Sequence, residues 1–262
     1  MSRFAVILPA AGRSSRFGDP REKKIFADLA GRAVWLRAAG TFLAREDVAQ
    51  IIVAIAPEDQ ELFDRRYQAN TAFLNLTVVH GGADRSETVA RALEAVRADC
   101  DHVAVHDAAR PCLAREIVDR VFAAALEHGA AIPAIPVADT IKRGGPDGRI
   151  AATVPRESLF LAQTPQVFRK ELLRHALAQR GRLGRHATDC SELVEAIGHP
   201  CAIVTGSPLN LKITTGQDLK LAAAILPLVE PPGREGPAHP FADEQSGWEK
   251  IPKLKPRDLF GP

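Results

Sequence analysis

Short apolar runs alternate with amphipathic segments along most of this chain, and that alternation constrains the fold more than any other feature. It is typical of β-α units wound on a mostly parallel sheet. The predicted strands are Phe4–Leu8, Ile51–Ala56, Leu76–His80, His102–Val105, Ala130–Ile135 and Ala202–Val204, and the predicted helices are Ala33–Leu43, Glu58–Tyr67, Ser86–Val96 and Arg115–His128. We therefore expect an α/β fold with one twisted, mostly parallel sheet.

Two segments interrupt the alternation. Residues 139–153 carry glycines and a proline between two short β-prone stretches, which predicts a hairpin arm with a Gly-rich tip. Residues 227–262 hold 8 of the 19 prolines and 4 of the 19 glycines, which indicates an extended appendage. The sequence thus predicts one domain over residues 1–226, an arm at 139–153 that packs on a second subunit, and a separate tail.

Composition limits the classes of function. The 34 Lys and Arg residues nearly balance 32 Asp and Glu, so a net charge of +2 creates no global field that would recruit nucleic acid or a membrane. The start of the chain has no export signal and no stretch reaches the roughly 20 apolar residues of a spanning helix. The four cysteines form no C-x-x-C pair, which disfavours a zinc site or a disulfide framework. We expect a cytoplasmic protein that recognises anions locally.

The first loop, Pro9–Gly18, directly follows the first predicted strand. Its small residues allow backbone N–H groups to approach a phosphate, and Arg16 with Lys24 adds positive charge. The small residues are Ala10, Ala11 and Gly12. The loop matches neither the dinucleotide fingerprint nor a Walker A loop. A tight β-α turn with solvated basic residues explains the loop equally well. Both Lys23 and Lys24 could supply the positive charge, and their spacing alone does not choose between them.

A second group, His106–Pro111, lies at the end of the fourth predicted strand, where open parallel sheets bind ligands. Asp107 offers a hard oxygen ligand for Mg²⁺, whose other ligands come from waters and substrate phosphates. Alternatively, Asp107 caps the turn and pairs with Arg110. We interpret His106 as a structural, hydrogen-bonding residue.

A third loop, Gly81–Thr88, again joins a strand to a helix. Its two glycines let the backbone lie against a flat base, and the Thr88 hydroxyl can meet a polar base edge. In the alternative interpretation, Asp84 or Ser86 is a helix N-cap and the glycines only turn the chain.

Taken together, these segments resemble the 2-C-methyl-D-erythritol 4-phosphate cytidylyltransferase family of the non-mevalonate isoprenoid pathway, over roughly Phe4 to Ile225. The resemblance is carried by ordered motifs. They are PAAGRSSRFG, GGADRSETV, VHDAARPC, PVADTIKR, Thr164-Pro165-Gln166, Thr188-Asp189 and Asn210-Leu211-Lys212-Ile213-Thr214.

The resemblance implies a three-layer nucleotidyltransferase fold with a β-hairpin dimerisation arm, and transfer of the cytidylyl group of CTP to 2-C-methyl-D-erythritol 4-phosphate with release of pyrophosphate. By the same resemblance, Arg16 and Lys24 stabilise the transition state and Asp107 contacts Mg²⁺. Lys24 is assigned by its spacing to Phe26 and Gly31. The implied CTP contacts are Ala10, Ala11, Gly12, Gly82, Ala83 and Thr88. The implied substrate contacts are Asp107, Arg110, Thr140, Arg156, Thr164, Thr188 and Lys212.

The resemblance also implies an oligomeric state, and the same residues leave alternative functions open. In such a homodimer, Arg156 would reach the site of the other subunit through the arm. A ribitol 5-phosphate cytidylyltransferase shares the same loops, and a regulator that binds CTP without chemistry is a rival of another class. A redox enzyme is disfavoured because the dinucleotide fingerprint is missing.

Overall fold

The computed structural model describes residues 2–12, 14, 17 and 23–229. The predictions for Arg16 and for residues 230–262 lie outside the described residues. The strands are β1 Phe4–Pro9, β2 Asp28–Leu29, β3 Arg32–Ala33, β4 Val48–Ile55, β5 Thr77–His80, β6 His102–Val105, β7 Ala130–Pro136, β8 Ile141–Gly144, β9 Ile150–Val154, β10 Phe160–Ala162, β11 Gln166–Arg169 and β12 Ala202–Thr205. The helices are α1 Val34–Leu43, α2 Gln60–Phe73, α3 Arg85–Glu94, α4 Arg115–His128, α5 Lys170–Ala178, α6 Cys190–Ala196 and α7 Gly216–Val229.

Eight strands form the main sheet, in the order β10-β7-β11-β6-β1-β4-β5 with β12 paired to β7. The pairs of β1 with β4 and β6, of β4 with β5 and of β7 with β12 are parallel, whereas β10 and β11 run antiparallel to their neighbours. The six predicted strands and four predicted helices are all confirmed, with ends shifted by a few residues at most except for α2, which continues to Phe73.

The sheet buries both faces, because alternate residues of β1 enter two different cores. Val6 and Leu8 join the cluster packed by α1, α2 and α4, whereas Ile7 joins the cluster packed by α3, α5 and α6. A strand covered on both sides reads as a continuous apolar run, which is what Phe4–Pro9 shows. The three-layer α/β prediction is therefore confirmed.

The predicted end of the domain and the predicted arm can both be located in the fold. Helix α7 contains Pro227 and ends at Val229, three residues past the domain end drawn at residue 226. A proline removes one helical hydrogen bond, and here that loss falls in the last turn, directly after the buried Leu226. The predicted arm at 139–153 is an antiparallel hairpin of β8 and β9, separate from the main sheet.

The parallel strands carry their following loops to one edge of the sheet. β1, β4, β5 and β6 all end there, so the loops after Pro9, Ile55, His80 and Val105 lie side by side. Within residues 23–229, no helix combines the length and the apolar character that crossing a bilayer requires.

Candidate active site

A cleft of about 530 Å³ opens at this edge of the sheet. Its walls come from the strand-end loops of β1, β4, β5 and β6 and from one residue of a later loop, Lys212. The cleft contains nine of the predicted site residues. They are Ala10, Ala11, Gly12, Lys24, Gly82, Ala83, Thr88, Asp107 and Lys212.

Backbone hydrogen bonds fix the floor of the cleft. The Ala10 N–H donates to the Ala54 carbonyl at 2.7 Å, and the Gly81 N–H donates to the Ile55 carbonyl at 2.7 Å. A Cβ on Gly81 would lie 2.5 Å from the Cβ of Ala11, closer than real Cβ contacts allow. Glycine is therefore required at position 81 because two loops press together there.

The start of α3 closes the next wall. Asp84 is the N-cap, because its carboxylate accepts from the Glu87 N–H at 2.8 Å, and the carboxylate of Glu87 accepts from the Ala83 N–H at 2.8 Å. The Thr88 hydroxyl accepts from the Gly82 N–H at 3.0 Å and donates to the Asp84 carbonyl at 2.8 Å. Of the two predicted N-caps, Asp84 is confirmed, and the loop is rigid before any ligand arrives.

The structure separates the two lysines that sequence spacing left equivalent. Lys23 forms ion pairs with Asp59 at 2.6 Å and with Glu58 at 3.2 Å. Lys24 lines the cleft. Lys23 is therefore held by two carboxylates, and Lys24 is the one of the two lysines that lies among the cleft residues.

Asp107 lies at the centre of a ring of cations. Its carboxylate is 2.8 Å from Lys212 Nζ, 3.3 Å from Arg85 Nη2 and 3.7 Å from Arg110 Nε. Burial alone raises the pKa of the Asp107 carboxyl, but the charges of Arg85, Lys212 and Arg110 outweigh burial and hold that pKa well below its usual range. One carboxylate among three cations leaves this wall with an excess of positive charge, which suits a phosphorylated ligand.

Arg85 is the cleft residue that the sequence reasoning missed. Its Nη1 donates to the sulfur of Cys190 at 3.2 Å, while its Nε and Nη2 reach Asp107 at 3.4 and 3.3 Å. Burial raises the pKa of the Cys190 thiol, so the sulfur accepts as a neutral thiol. Arg85 is the only arginine in the Gly81–Thr88 sequence, which is the one feature that could have drawn attention to it. The neighbouring residues do not indicate whether its side chain turns towards Asp107 or towards solvent.

Several predicted site residues lie outside the cleft lining. Arg110 lies behind Asp107 and donates to the Asn210 carbonyl at 2.7 Å, and the buried Thr164 accepts from the Asp107 N–H at 3.1 Å. Thr188 is exposed and donates to the Glu192 carboxylate at 3.0 Å, so the structure does not bring it to the cleft. Thr140 and Arg156 are exposed at the base of the hairpin, where Arg156 donates to the Ala138 carbonyl.

The donor set can be tested against the predicted Mg²⁺. Among the residues that the structure describes, no three His, Cys, Asp or Glu side chains converge as a protein-only metal cage. Asp107 supplies one ionised carboxylate to the cleft, and Mg²⁺ at nucleotide sites takes one or two carboxylates together with phosphates and waters. The residues therefore fit a Mg²⁺ carried mainly by nucleotide phosphates, with one oxygen from Asp107.

Comparisons with known proteins identify the family of this chain. The model of the family described as 2-C-methyl-D-erythritol 4-phosphate cytidylyltransferase (IspD) matches residues 4–227. The curated protein of that name from Rhodopirellula baltica is 44% identical over 233 residues, which cover 85% of this chain and 94% of that protein. Its counterpart from Dechloromonas aromatica is 42% identical and covers 86% of this chain and 98% of that protein.

The solved structures add the three-dimensional match. The crystal structure of 2-C-methyl-D-erythritol 4-phosphate cytidylyltransferase from Thermus thermophilus superposes with a TM-score of 0.71 at 37% identity, covering 86% of this chain and 98% of that chain. A crystal structure of 4-diphosphocytidyl-2C-methyl-D-erythritol synthase gives a TM-score of 0.72 at 34% identity, covering 86% of this chain and 99% of that chain. This chain belongs to the 2-C-methyl-D-erythritol 4-phosphate cytidylyltransferase family.

Proposed function

We propose that this protein transfers the cytidylyl group of CTP to 2-C-methyl-D-erythritol 4-phosphate, releasing pyrophosphate and forming 4-diphosphocytidyl-2-C-methyl-D-erythritol for isoprenoid precursor synthesis. One observation carries the proposal. Lys24, Arg85 and Lys212 line one cleft together with Asp107 and the small residues Ala10, Ala11 and Gly12, in a chain of this family.

The chemistry needs no activated side chain. The acceptor phosphate is already an anion at neutral pH, so it attacks the α-phosphorus of CTP directly and pyrophosphate leaves. The main obstacle is repulsion between two polyanions, which at about 4 Å amounts to several kcal/mol in a protein environment. Catalysis then consists of neutralising charge and aligning the two phosphates.

The nucleotide occupies the β1 and α3 side of the cleft. Small residues at Ala10, Ala11 and Gly12 leave room for the triphosphate, and Lys24 opposes its charge. The resemblance to the family adds Arg16 as a second positive charge. Gly82, Ala83 and Thr88 take the base. Thr88 offers its remaining acceptor lone pair, because its proton is committed to the Asp84 carbonyl.

The acceptor phosphate lies on the Asp107 side. Lys212 is half-exposed and 2.8 Å from Asp107, so it can turn from that carboxylate to an incoming phosphate. Asp107 would hold Mg²⁺ through one oxygen, and the metal would neutralise phosphate charge when the nucleotide is bound. Arg85 keeps Asp107 in place from the opposite side.

The remaining acceptor contacts, Thr140 and Arg156, come from a second subunit in this proposal. The edge strand β10 supports that assembly, because its apolar residues Phe160 and Leu161 are 46% and 55% exposed. Exposed apolar side chains at the edge of a sheet favour an interface. Homodimerisation through the 139–153 arm and a cytoplasmic location are otherwise still predictions.

Pyrophosphate release tests the activity directly. Purified protein is incubated with CTP, Mg²⁺ and, in separate reactions, 2-C-methyl-D-erythritol 4-phosphate or ribitol 5-phosphate, with ATP, GTP and UTP as nucleotide controls. We expect release with CTP and the methylerythritol acceptor. Preference for ribitol 5-phosphate would assign the other acceptor, and CTP binding without release from either acceptor would identify a regulator instead.

A further inference from the structure

A buried histidine stands behind the Asp107 loop and makes two hydrogen bonds. His106 directly follows β6 and is fully buried. Its Nε2 lies 3.0 Å from the Arg110 carbonyl oxygen, and its Nδ1 lies 3.0 Å from the Thr164 hydroxyl. That hydroxyl also lies 3.1 Å from the Asp107 backbone nitrogen. One contact therefore joins the two ends of the 106–110 turn, and two contacts hold the start of that turn against Thr164 in the segment between β10 and β11.

The direction of every proton in this chain of hydrogen bonds follows from chemistry. A carbonyl oxygen only accepts, so His106 Nε2 carries the proton that it gives to Arg110. His106 is fully buried and its hydrogen bonds go to a carbonyl oxygen and a hydroxyl oxygen, so the ring is neutral and Nδ1 is an acceptor. The Thr164 hydroxyl must then donate to Nδ1, which leaves its oxygen to accept from the Asp107 N–H.

The same hydrogen bonds indicate that Thr164 does not contact a ligand directly. Its single hydroxyl proton is committed to His106, its oxygen receives the Asp107 N–H, and only 4% of the residue is exposed. The Thr164 carbonyl is also occupied, because it accepts from the side-chain amide of Asn210 at 2.9 Å. The resemblance implied a substrate contact for Thr164, whereas the contacts in this structure all point inwards.

We infer that His106 and Thr164 are positioning residues that hold the Asp107 turn in its catalytic geometry, so that Thr164 acts through Asp107 and not on the substrate. The inference rests on the proposed function, because the position of Asp107 affects turnover only if the cleft aligns the phosphates of two substrates. A misplaced Asp107 also displaces Arg85 and Lys212, which both pair with it. Losing these hydrogen bonds should therefore slow turnover more than it weakens CTP binding.

Thr164 provides the first test. Thr164→Val keeps the shape and removes both hydrogen bonds, whereas Thr164→Ser keeps the hydroxyl. We expect Thr164→Val to lower kcat by about tenfold or more with a change in the CTP dissociation constant of less than about threefold, and Thr164→Ser to retain most of the wild-type kcat. Equal damage in both variants, or a raised KM for the polyol phosphate with unchanged kcat, would overturn the inference.

His106 provides a second test if Thr164→Val fails to fold. His106→Gln can still donate to the Arg110 carbonyl but is a poor acceptor for Thr164, and its kcat should fall with CTP binding kept. His102→Gln is the matched control, because His102 is a buried histidine at the other end of β6 whose Nδ1 lies 3.3 Å from the Asp101 carboxylate. Loss of turnover in His102→Gln equal to that in His106→Gln would overturn the inference, because it would show a general effect of disturbing β6.

A spectroscopic measurement separates this inference from the proposed function. Nitrogen-15 NMR of the wild-type protein should show one histidine, assigned by its absence in His106→Gln, with Nε2 protonated and Nδ1 unprotonated at pH 7. That result supports the hydrogen-bonded arrangement even if no pyrophosphate is released, in which case the proposed function alone fails. The opposite tautomer would overturn the inference whatever the activity.

Discussion

The cleft loops and the hairpin arm differ in how much support they receive from the rest of the chain. The cleft loops begin at the ends of strands whose side chains are buried on both faces, and the described residues of these loops make backbone or capping hydrogen bonds. The arm pairs only β8 with β9, and Ile150 within it is 67% exposed. The hairpin arm therefore lacks the support that the main sheet gives to the cleft loops.

That difference divides the proposed site into two halves. In the proposed function the nucleotide half lies within one chain, and the described residues of the Gly81–Thr88 loop are held by hydrogen bonds already formed. The acceptor half has Lys212 in the cleft but Thr140 and Arg156 on an exposed segment with little support of its own. A second subunit would supply that support, and the arm should matter for the acceptor rather than for CTP.

The largest effect should come from the nucleotide half. We expect Lys24→Ala to lower kcat by on the order of 100-fold, because it removes a charge that opposes the developing charge at the α-phosphorus. Arg16→Ala should have a similar effect, from the same resemblance and charge argument. Steady-state pyrophosphate release with saturating CTP measures both.

Lys23 is the matched control for this experiment. Lys23→Ala removes the neighbouring lysine, whose charge is already paired with Glu58 and Asp59, so its turnover should stay within a few-fold of the wild type. If Lys23→Ala lost turnover and Lys24→Ala kept it, the two lysines would have been assigned the wrong way round.

The arm should give a smaller and more selective effect. Arg156→Ala should raise KM for 2-C-methyl-D-erythritol 4-phosphate by about tenfold, as expected for one charge-assisted hydrogen bond, with CTP affinity retained. Arg149→Ala, at the exposed tip of the same hairpin, should leave both parameters unchanged. A loss of CTP affinity in Arg156→Ala would place the residue in the nucleotide half.

Mixing Lys24→Ala with Arg156→Ala chains tests whether Arg156 crosses between subunits, provided that the acceptor concentration is well below the wild-type KM, where both variants are slow. A heterodimer of Lys24→Ala and Arg156→Ala chains contains one site with both residues intact only if the arm acts in trans. Random reassociation should then restore about a quarter of the wild-type sites. An arm that acts in cis restores none, and a protein that sediments as a monomer would remove the arm from the acceptor site altogether.

The same contrast explains what could be predicted from the sequence. Runs such as Phe4–Leu8 are buried on both faces, so their continuous apolar sequence predicts them as strands. The motifs that follow these strands predict the loops that form the cleft. Strands β10 and β11 are only three and four residues long and run antiparallel, so no periodicity marks them. The pairing of Arg85 with Asp107 joins side chains 22 residues apart and depends on the folded sheet.

The smallest effect concerns the order of the α3 loop. Asp84→Ala removes the N-cap and should lower the free energy of unfolding by about 1 kcal/mol, because the Glu87 N–H loses its acceptor. Since the Gly82–Thr88 loop is held partly by that cap, KM for CTP should rise a few-fold while KM for the acceptor stays the same. Urea unfolding and initial-rate kinetics measure the two quantities. If Asp84→Ala raised KM for both substrates equally, the two halves of the site would be mechanically coupled, and the division between a preformed nucleotide half and a subunit-dependent acceptor half would be wrong.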